Sequence, residues 1–166
     1  MTDDQWLYEY TGQSTAELVA MVKTYRVDSL VVAFEQAILQ KAERVGVDSL
    51  SDVERLVLAV EALERDINNG GYHQYFLNAP EFAPIAVESL LEIGCPITAA
   101  ITQNAIAALG IPGALTAAAI EAAASTENDE RDAILQDCDG QFYEAGEDIA
   151  SFVFQYIMLN QSKVVL

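Results

Sequence analysis

Ser51 and Glu54 stand three residues apart at the head of a run in which Val53, Leu56, Val57, Val60, Leu63 and Ile67 recur at helical intervals. A hydroxyl and a carboxylate at that spacing satisfy each other's free backbone donors, which marks a helix start. The apolar recurrence behind it makes one stripe that folding must bury. Similar capping pairs stand at Thr2 with Gln5 and at Ser14 with Glu17. The segment from Ser29 to Val45 repeats the pattern through Val31, Phe34, Ile38, Ala42 and Val45, and Gly46 is placed to end it. No hairpin of alternating strands stands out. Val31-Val32 and Val164-Val165 are strand-like fragments without a pairing partner in the sequence.

The middle of the chain carries no charged residue between Glu92 and Glu121. Within it, Gly94-Cys95-Pro96 and Gly110-Ile111-Pro112 repeat at a spacing of 16, each reading as a glycine stop followed by a proline start. The two segments so delimited are rich in alanine, including Ala99, Ala100, Ala105, Ala107 and Ala108, then Ala114, Ala117 to Ala119 and Ala122 to Ala124. They predict a buried central hairpin, with a homodimer interface on one face as the alternative. Gln141 to Asn160 reads as a long final helix with Phe142, Ile149, Phe152, Val153, Tyr156 and Ile157 facing inward. The expectation is an all-α fold: one compact domain over residues 1–166, of about seven to nine helices.

Hydrophobic residues make up 52% of the 166, enough for a real core, and a chain of this length buries roughly 70% of its unfolded surface. Two cysteines, Cys95 and Cys138, lack metal-ligand spacing and make no disulfide framework. The opening MTDDQWLYEY has neither the basic start nor the apolar run of a signal peptide, and the rest of the chain has no apolar stretch of membrane-spanning length. These features lead us to expect a cytoplasmic protein without a membrane partner.

The net charge of −18 is the outlying number. It repels nucleic acid and anionic membranes, so direct nucleic-acid binding is not expected. A compact chain of this size is roughly 40 Å across, and duplex DNA of that length carries about 23 charges. The two are of the same order. The charge is also concentrated: Glu121 to Asp148 holds ten acidic residues against a single Arg131, and no lysine or arginine lies between Arg65 and Arg131. Helical residues three or four apart hold their carboxylates close together. Asp129 with Asp132, and Glu144 with Glu147 and Asp148, are therefore expected to approach the spacing of successive phosphates. The candidate partner-binding face comprises Glu127, Asp129, Glu130, Asp132, Asp137, Asp139, Glu144, Glu147 and Asp148.

No other motif carries chemistry. His73, the sole histidine, has no identifiable nucleophile to serve. Asp137-Cys138-Asp139-Gly140 hints at a calcium loop, but putting Gly140 at the sixth position places Leu135 first and Gly146 twelfth, where carboxylates are required. No catalytic residue, metal or cofactor is expected. The string Glu64-Arg65-Asp66-Ile67-Asn68-Asn69-Gly70-Gly71-Tyr72-His73-Gln74-Tyr75-Phe76-Leu77-Asn78 reads as a helix end, a left-handed cap and a short aromatic helix, with Asn78 capping the next segment before Pro80.

That string, through Glu64, Asn69, Gly70, Gly71, Gln74, Tyr75 and Asn78, resembles the signature of a bacterial domain of unknown function that includes an acidic Neisseria DNA-mimic protein. Leu90 to Gly94 and Asp139 to Tyr143 also match, and the resemblance spans roughly residues 28 to 160. It implies an all-helical fold and, through that member, a homodimer whose carboxylates stand in for DNA phosphates on a transcription factor. The resulting expectation is a non-enzymatic DNA mimic acting on a basic DNA-binding protein. The alternatives are an immunity or antitoxin-like inhibitor of a basic toxin such as a nuclease, and a small enzyme built on His73.

Overall fold

The computed structural model describes residues 5–166, so the capping pair expected of Thr2 with Gln5 rests on a residue, Thr2, outside the described ones. These residues form eight α-helices and no strand. An isolated parallel bridge joins Gln5 and Tyr25. The chain divides into two compact units, Met1–Leu58 with Asp148–Leu166, and Ala59–Glu147.

In the first unit α1 (Thr15–Ala20) and α8 (Ile149–Leu159) each pack on α2 (Val27–Val45). The capping box of Ser14 and Glu17 forms as expected. Along α2, Leu30, Val31, Phe34 and Ile38 are fully buried, but Ala42 is half-buried and Val45 exposed, so the stripe reaches solvent in the last turns. Gly46, at φ 90°, ends the helix. Ser51 and Glu54 exchange their reciprocal bonds at 3.0 and 3.1 Å and start α3 (Asp52–Asn78), whose stripe from Val53 to Ile67 is buried. The fully buried Glu54 carboxylate also accepts from Lys41 Nζ at 2.8 and 3.0 Å and from the Val165 N–H at 2.8 Å. Side chains thus anchor the last residues. Thr15 donates to the Val164 carbonyl and Ser51 to that of Lys163, both at 2.6 Å, which accounts for Val164-Val165 without a strand.

The second unit holds the rest of α3, with α4 (Ala83–Ile93), α5 (Pro96–Ala108), α6 (Ala117–Ser125) and α7 (Asp129–Glu144). Helix α5 packs against α4 and α7, and α6 against α4, so the expected buried alanine-rich hairpin is not formed: α6 buries only Ile120 and Ala124 and leaves Ala118 and Ala122 exposed. The first glycine–proline pair works as read: Gly94 is left-handed at the end of α4, and Pro96 opens α5. The second differs. Gly110 follows the end of α5, but α6 begins only at Ala117, where the Thr116 hydroxyl accepts the Ala119 N–H at 3.1 Å. Gly113, a poor helix former, lies between Pro112 and that cap. The expected long final helix is likewise two. Helix α7 ends at Glu144, Gly146 takes φ 70°, and Asp148 caps α8 with bonds to the Ser151 N–H and hydroxyl at 3.2 and 2.6 Å. Of the side chains expected inside, Phe152 and Tyr156 are only half-buried.

Replacing Glu54 with glutamine leaves the Lys41 ammonium, 15% exposed, without its counter-charge. Breaking a buried pair from one side costs about 3–5 kcal/mol. Urea unfolding of Glu54→Gln should show a loss of that order.

Candidate functional site

Helix α7 is short of apolar residues, and its sequence sorts cleanly by side. Arg131, Leu135, Cys138 and Phe142 fall at helical intervals and are buried. The Asn128 side chain accepts the Arg131 N–H at 2.9 Å and starts the helix. Asp129, Glu130 and Asp132 then occupy the first turn, where the free N–H groups favour negative charge. The Arg131 guanidinium, 3% exposed, donates to the Ala123 carbonyl and holds Asp132 at 2.7 and 2.9 Å.

The nine expected face residues separate into two groups. Glu127, Asp129, Glu130, Asp137 and Glu144 are exposed, with no hydrogen bond or ion pair through their side chains among the described residues. The other four are tied into the fold. Asp132 is held by Arg131. Asp139 accepts the Tyr72 N–H at 2.7 Å. Glu147 accepts the Ile97 and Thr98 N–H groups at 2.9 and 2.8 Å and the Thr98 hydroxyl at 2.7 Å, closing the start of α5. Asp148 caps α8, in the other compact unit. The expected cluster of Glu144 with Glu147 and Asp148 is therefore not a row on one helix. The turn at Gly146 intervenes, and backbone donors take the last two carboxylates.

The free carboxylates make a different row. Glu130, Asp137 and Glu144 are spaced by seven residues, close to two full turns, so they line one outer edge of α7 at steps of about 10.5 Å. Few cations oppose them. Ala59–Glu147 contains fifteen acidic residues and two arginines, so it carries −13 of the chain's −18. One of the two arginines is the buried Arg131.

The Asn-Gly-Gly string is a corner of the fold. Gly71 takes φ 83° and breaks α3, and a Cβ there would overlap the Asp139 carboxylate. A Cβ on Gly70 would overlap the Gln74 side-chain amide. Gln74 and Asn78 both turn to the buried Asp66, at 3.4 and 3.3 Å, so Asn78 does not cap the next segment as expected. Phe82 stands at the start of α4, followed by Pro84 in its first turn. Tyr75 is fully buried, Glu64 half-buried and Asn69 exposed. The Tyr72 hydroxyl lies 2.8 Å from that of Thr102, and its ring meets Phe142 edge-on at 6.3 Å. His73 places Nε2 2.9 Å from the Ala124 carbonyl.

Burial pushes the Asp139 carboxyl up, against the pull of the Tyr72 N–H and His73. Burial also raises the Cys138 thiol, with Asp139 and Asp137 adding to the shift, which keeps it a poor nucleophile. Burial acts upward on Glu147 too, but the Thr98 hydroxyl and the Thr98 and Ile97 N–H groups outweigh it and hold this carboxyl below its ordinary value. Among the described residues, no group of three or more His, Cys, Asp or Glu side chains is placed to hold a metal ion, and no helix is long and apolar enough to cross a membrane.

A family model described as DMP19-like protein matches residues 48–160, which take in all of α3 to α8. A search of curated proteins found no significant match.

Two substitutions test this architecture. Gly71→Ala meets both a left-handed backbone and the Asp139 carboxylate, and should cost at least about 2 kcal/mol in urea unfolding. Gly70→Ala, opposed only by the movable Gln74 side chain, should cost far less. The Glu147 carboxyl lies lower folded than unfolded, so its contribution is complete above about pH 4.5 and fades as pH falls through the folded value. Glu147→Gln should therefore be less stable than wild type by about 1 kcal/mol near neutrality. That gap should close in acid.

Proposed function

Because the chain belongs to the DMP19-like protein family, we propose that it is a non-enzymatic acidic binding protein, a DNA mimic that occupies the basic DNA-binding surface of another protein. The observation that supports this reading most directly is the split among the nine carboxylates. Five remain free and exposed on a unit of charge −13 whose second arginine is buried. Lysines and arginines that bind phosphates find in Glu130, Asp137 and Glu144 a regular row to bind instead.

Magnitudes refine the reading. Helix α7 has 16 residues and is about 24 Å long, a length over which duplex DNA carries about 14 charges. The helix offers six carboxylates, two of them already engaged. The likeness to DNA is in the sign and linear order of the charges; the charge density of the helix is under half, and the free row, at steps of about 10.5 Å, is sparser still. Counterion release should accordingly be weaker than for DNA. Between about 50 and 200 mM salt the affinity for a basic partner should fall about 10- to 100-fold, short of the 10³–10⁵ typical of six to ten phosphate contacts.

Capture from a lysate, followed by titration of the recovered partner at the two salt concentrations, tests this reading. Glu130→Gln, Asp137→Asn and Glu144→Gln combined should weaken binding at least about 10-fold at low salt while leaving the fold at least as stable, since self-repulsion is relieved. DNA should compete with the protein for the partner. Equal affinity of the triple variant and wild type, or no response to salt, would exclude the mimic. Recovery of a nuclease toxin in place of a chromosomal DNA-binding protein would move the reading to an immunity protein.

A further inference from the structure

We propose that the open groove between α5 and α7 receives an α-helix of the partner, amphipathic and basic along one edge, so that the mimic reads a helix as well as a charge. This rests on the binding role above and names the element bound. The groove encloses about 450 Å3, and its lining includes Asn104, Ala107 and Ala108 from α5 and Ile134, Cys138 and Gln141 from α7.

Around α7, at about 100° per residue, three rows lie side by side. Cys138, on the buried side, makes the floor. Ile134 and Gln141, seven residues apart, make the wall, and Ile134 is 40% exposed. Glu130, Asp137 and Glu144 make the next row outward; Asp137 lines the groove, and Glu130 and Glu144 continue its edge, or rim, one heptad to either side along α7. The opposite wall is neutral, since α5 contains no charged residue, and its exposed Ala107 and half-buried Ala108 let a second backbone come close. A groove that mixes Ala107, Ala108, Ile134 and Cys138 with the neutral amides of Asn104 and Gln141, and has carboxylates along one side only, matches an amphipathic helix with cations along one edge.

The spacing adds a register. A helix lying beside α7 at the shallow crossing common for helix pairs presents residues i, i+7 and i+14 to the rim, in step with Glu130, Asp137 and Glu144. It needs about four turns to span all three. A second copy of this chain is a poor occupant, because it brings a net charge of −18 to the same rim. A flat cationic surface would engage the rim and leave the groove unused.

The test uses the full chain and two fluorescent peptides of about five helical turns with one composition. In the first, arginine recurs at every seventh position beside a leucine–alanine stripe. The second has the same residues shuffled so that no edge is basic. Anisotropy titrations at about 50 mM salt should show the patterned peptide binding at least about 10-fold tighter. Ala107→Trp fills the groove from an exposed position, so the variant should fold, as circular dichroism can verify. It should erase the difference while leaving the weaker, salt-sensitive binding common to both peptides. Equal binding of the two peptides by wild type, or a patterned advantage that survives in Ala107→Trp, overturns the groove and leaves the acidic-face reading standing. Failure of either peptide to bind wild type at low salt overturns both.

Discussion

Carboxylates outnumber cations in Ala59–Glu147 by fifteen to two, and this imbalance decides where they go. An ordinary helical protein neutralises surface charge with lysine and arginine neighbours. Here that route is nearly closed: Asp132 has Arg131 and the buried Asp66 has the Gln74 and Asn78 amides, while other carboxylates face water or find a backbone N–H group. Helix starts offer such groups in sets of unsatisfied donors, with the helix dipole adding to the attraction. Glu147 takes three donors at the start of α5. Asp139 takes the Tyr72 N–H just past the break in α3. The acidic excess is thus part of the folding mechanism, and the surface row is the portion that folding leaves over.

The Gly71 corner shows how closely the two uses are joined. Its left-handed turn brings the Tyr72 N–H to Asp139 of α7, and only a missing Cβ leaves room for that carboxylate. Tyr72 then reaches α5 through Thr102 and α7 through Phe142. One residue therefore sets α5 and α7, the two walls of the groove, with respect to each other. The glycines of the string are architectural, yet the architecture they fix is that of the candidate binding surface.

Helix starts carried by a nearby side chain were legible in the sequence. Ser14 with Glu17 and Ser51 with Glu54 lie within one turn of the donors they satisfy, and the stripe from Val53 to Ile67 is buried as its period demands. What escaped was long-range or competitive. Glu147 caps a helix start about fifty residues away, so its spacing to Glu144 and Asp148 suggested three carboxylates along one helix, where the structure has a helix end and two engaged side chains. Pro112 could open a helix, but Thr116 beyond Gly113 does so. Asn78 is turned aside by Asp66, another contact that no local pattern announces. Two signals could have separated free from engaged carboxylates: Gly146 as a helix terminator, and the buried stripe of α7, which leaves Glu130, Asp137 and Glu144 on an outer edge.

Charge alone sets a limit on what such a surface can select. A row of carboxylates at steps of about 10.5 Å is far sparser than a phosphate backbone, with one charge per about 3.4 Å of each strand. It cannot outbid DNA for a basic surface by electrostatics of the same kind. Sparse charge still steers encounter and repels anionic competitors, while specificity requires contacts that DNA cannot offer. The groove beside the row offers such contacts in Ile134, Ala107 and Ala108, because DNA grooves present no comparable set of aliphatic side chains to a protein helix. A protein that carries both can compete with a denser polyanion by binding the same helix differently. Its advantage would then grow as salt weakens the purely ionic complex more than the partly apolar one.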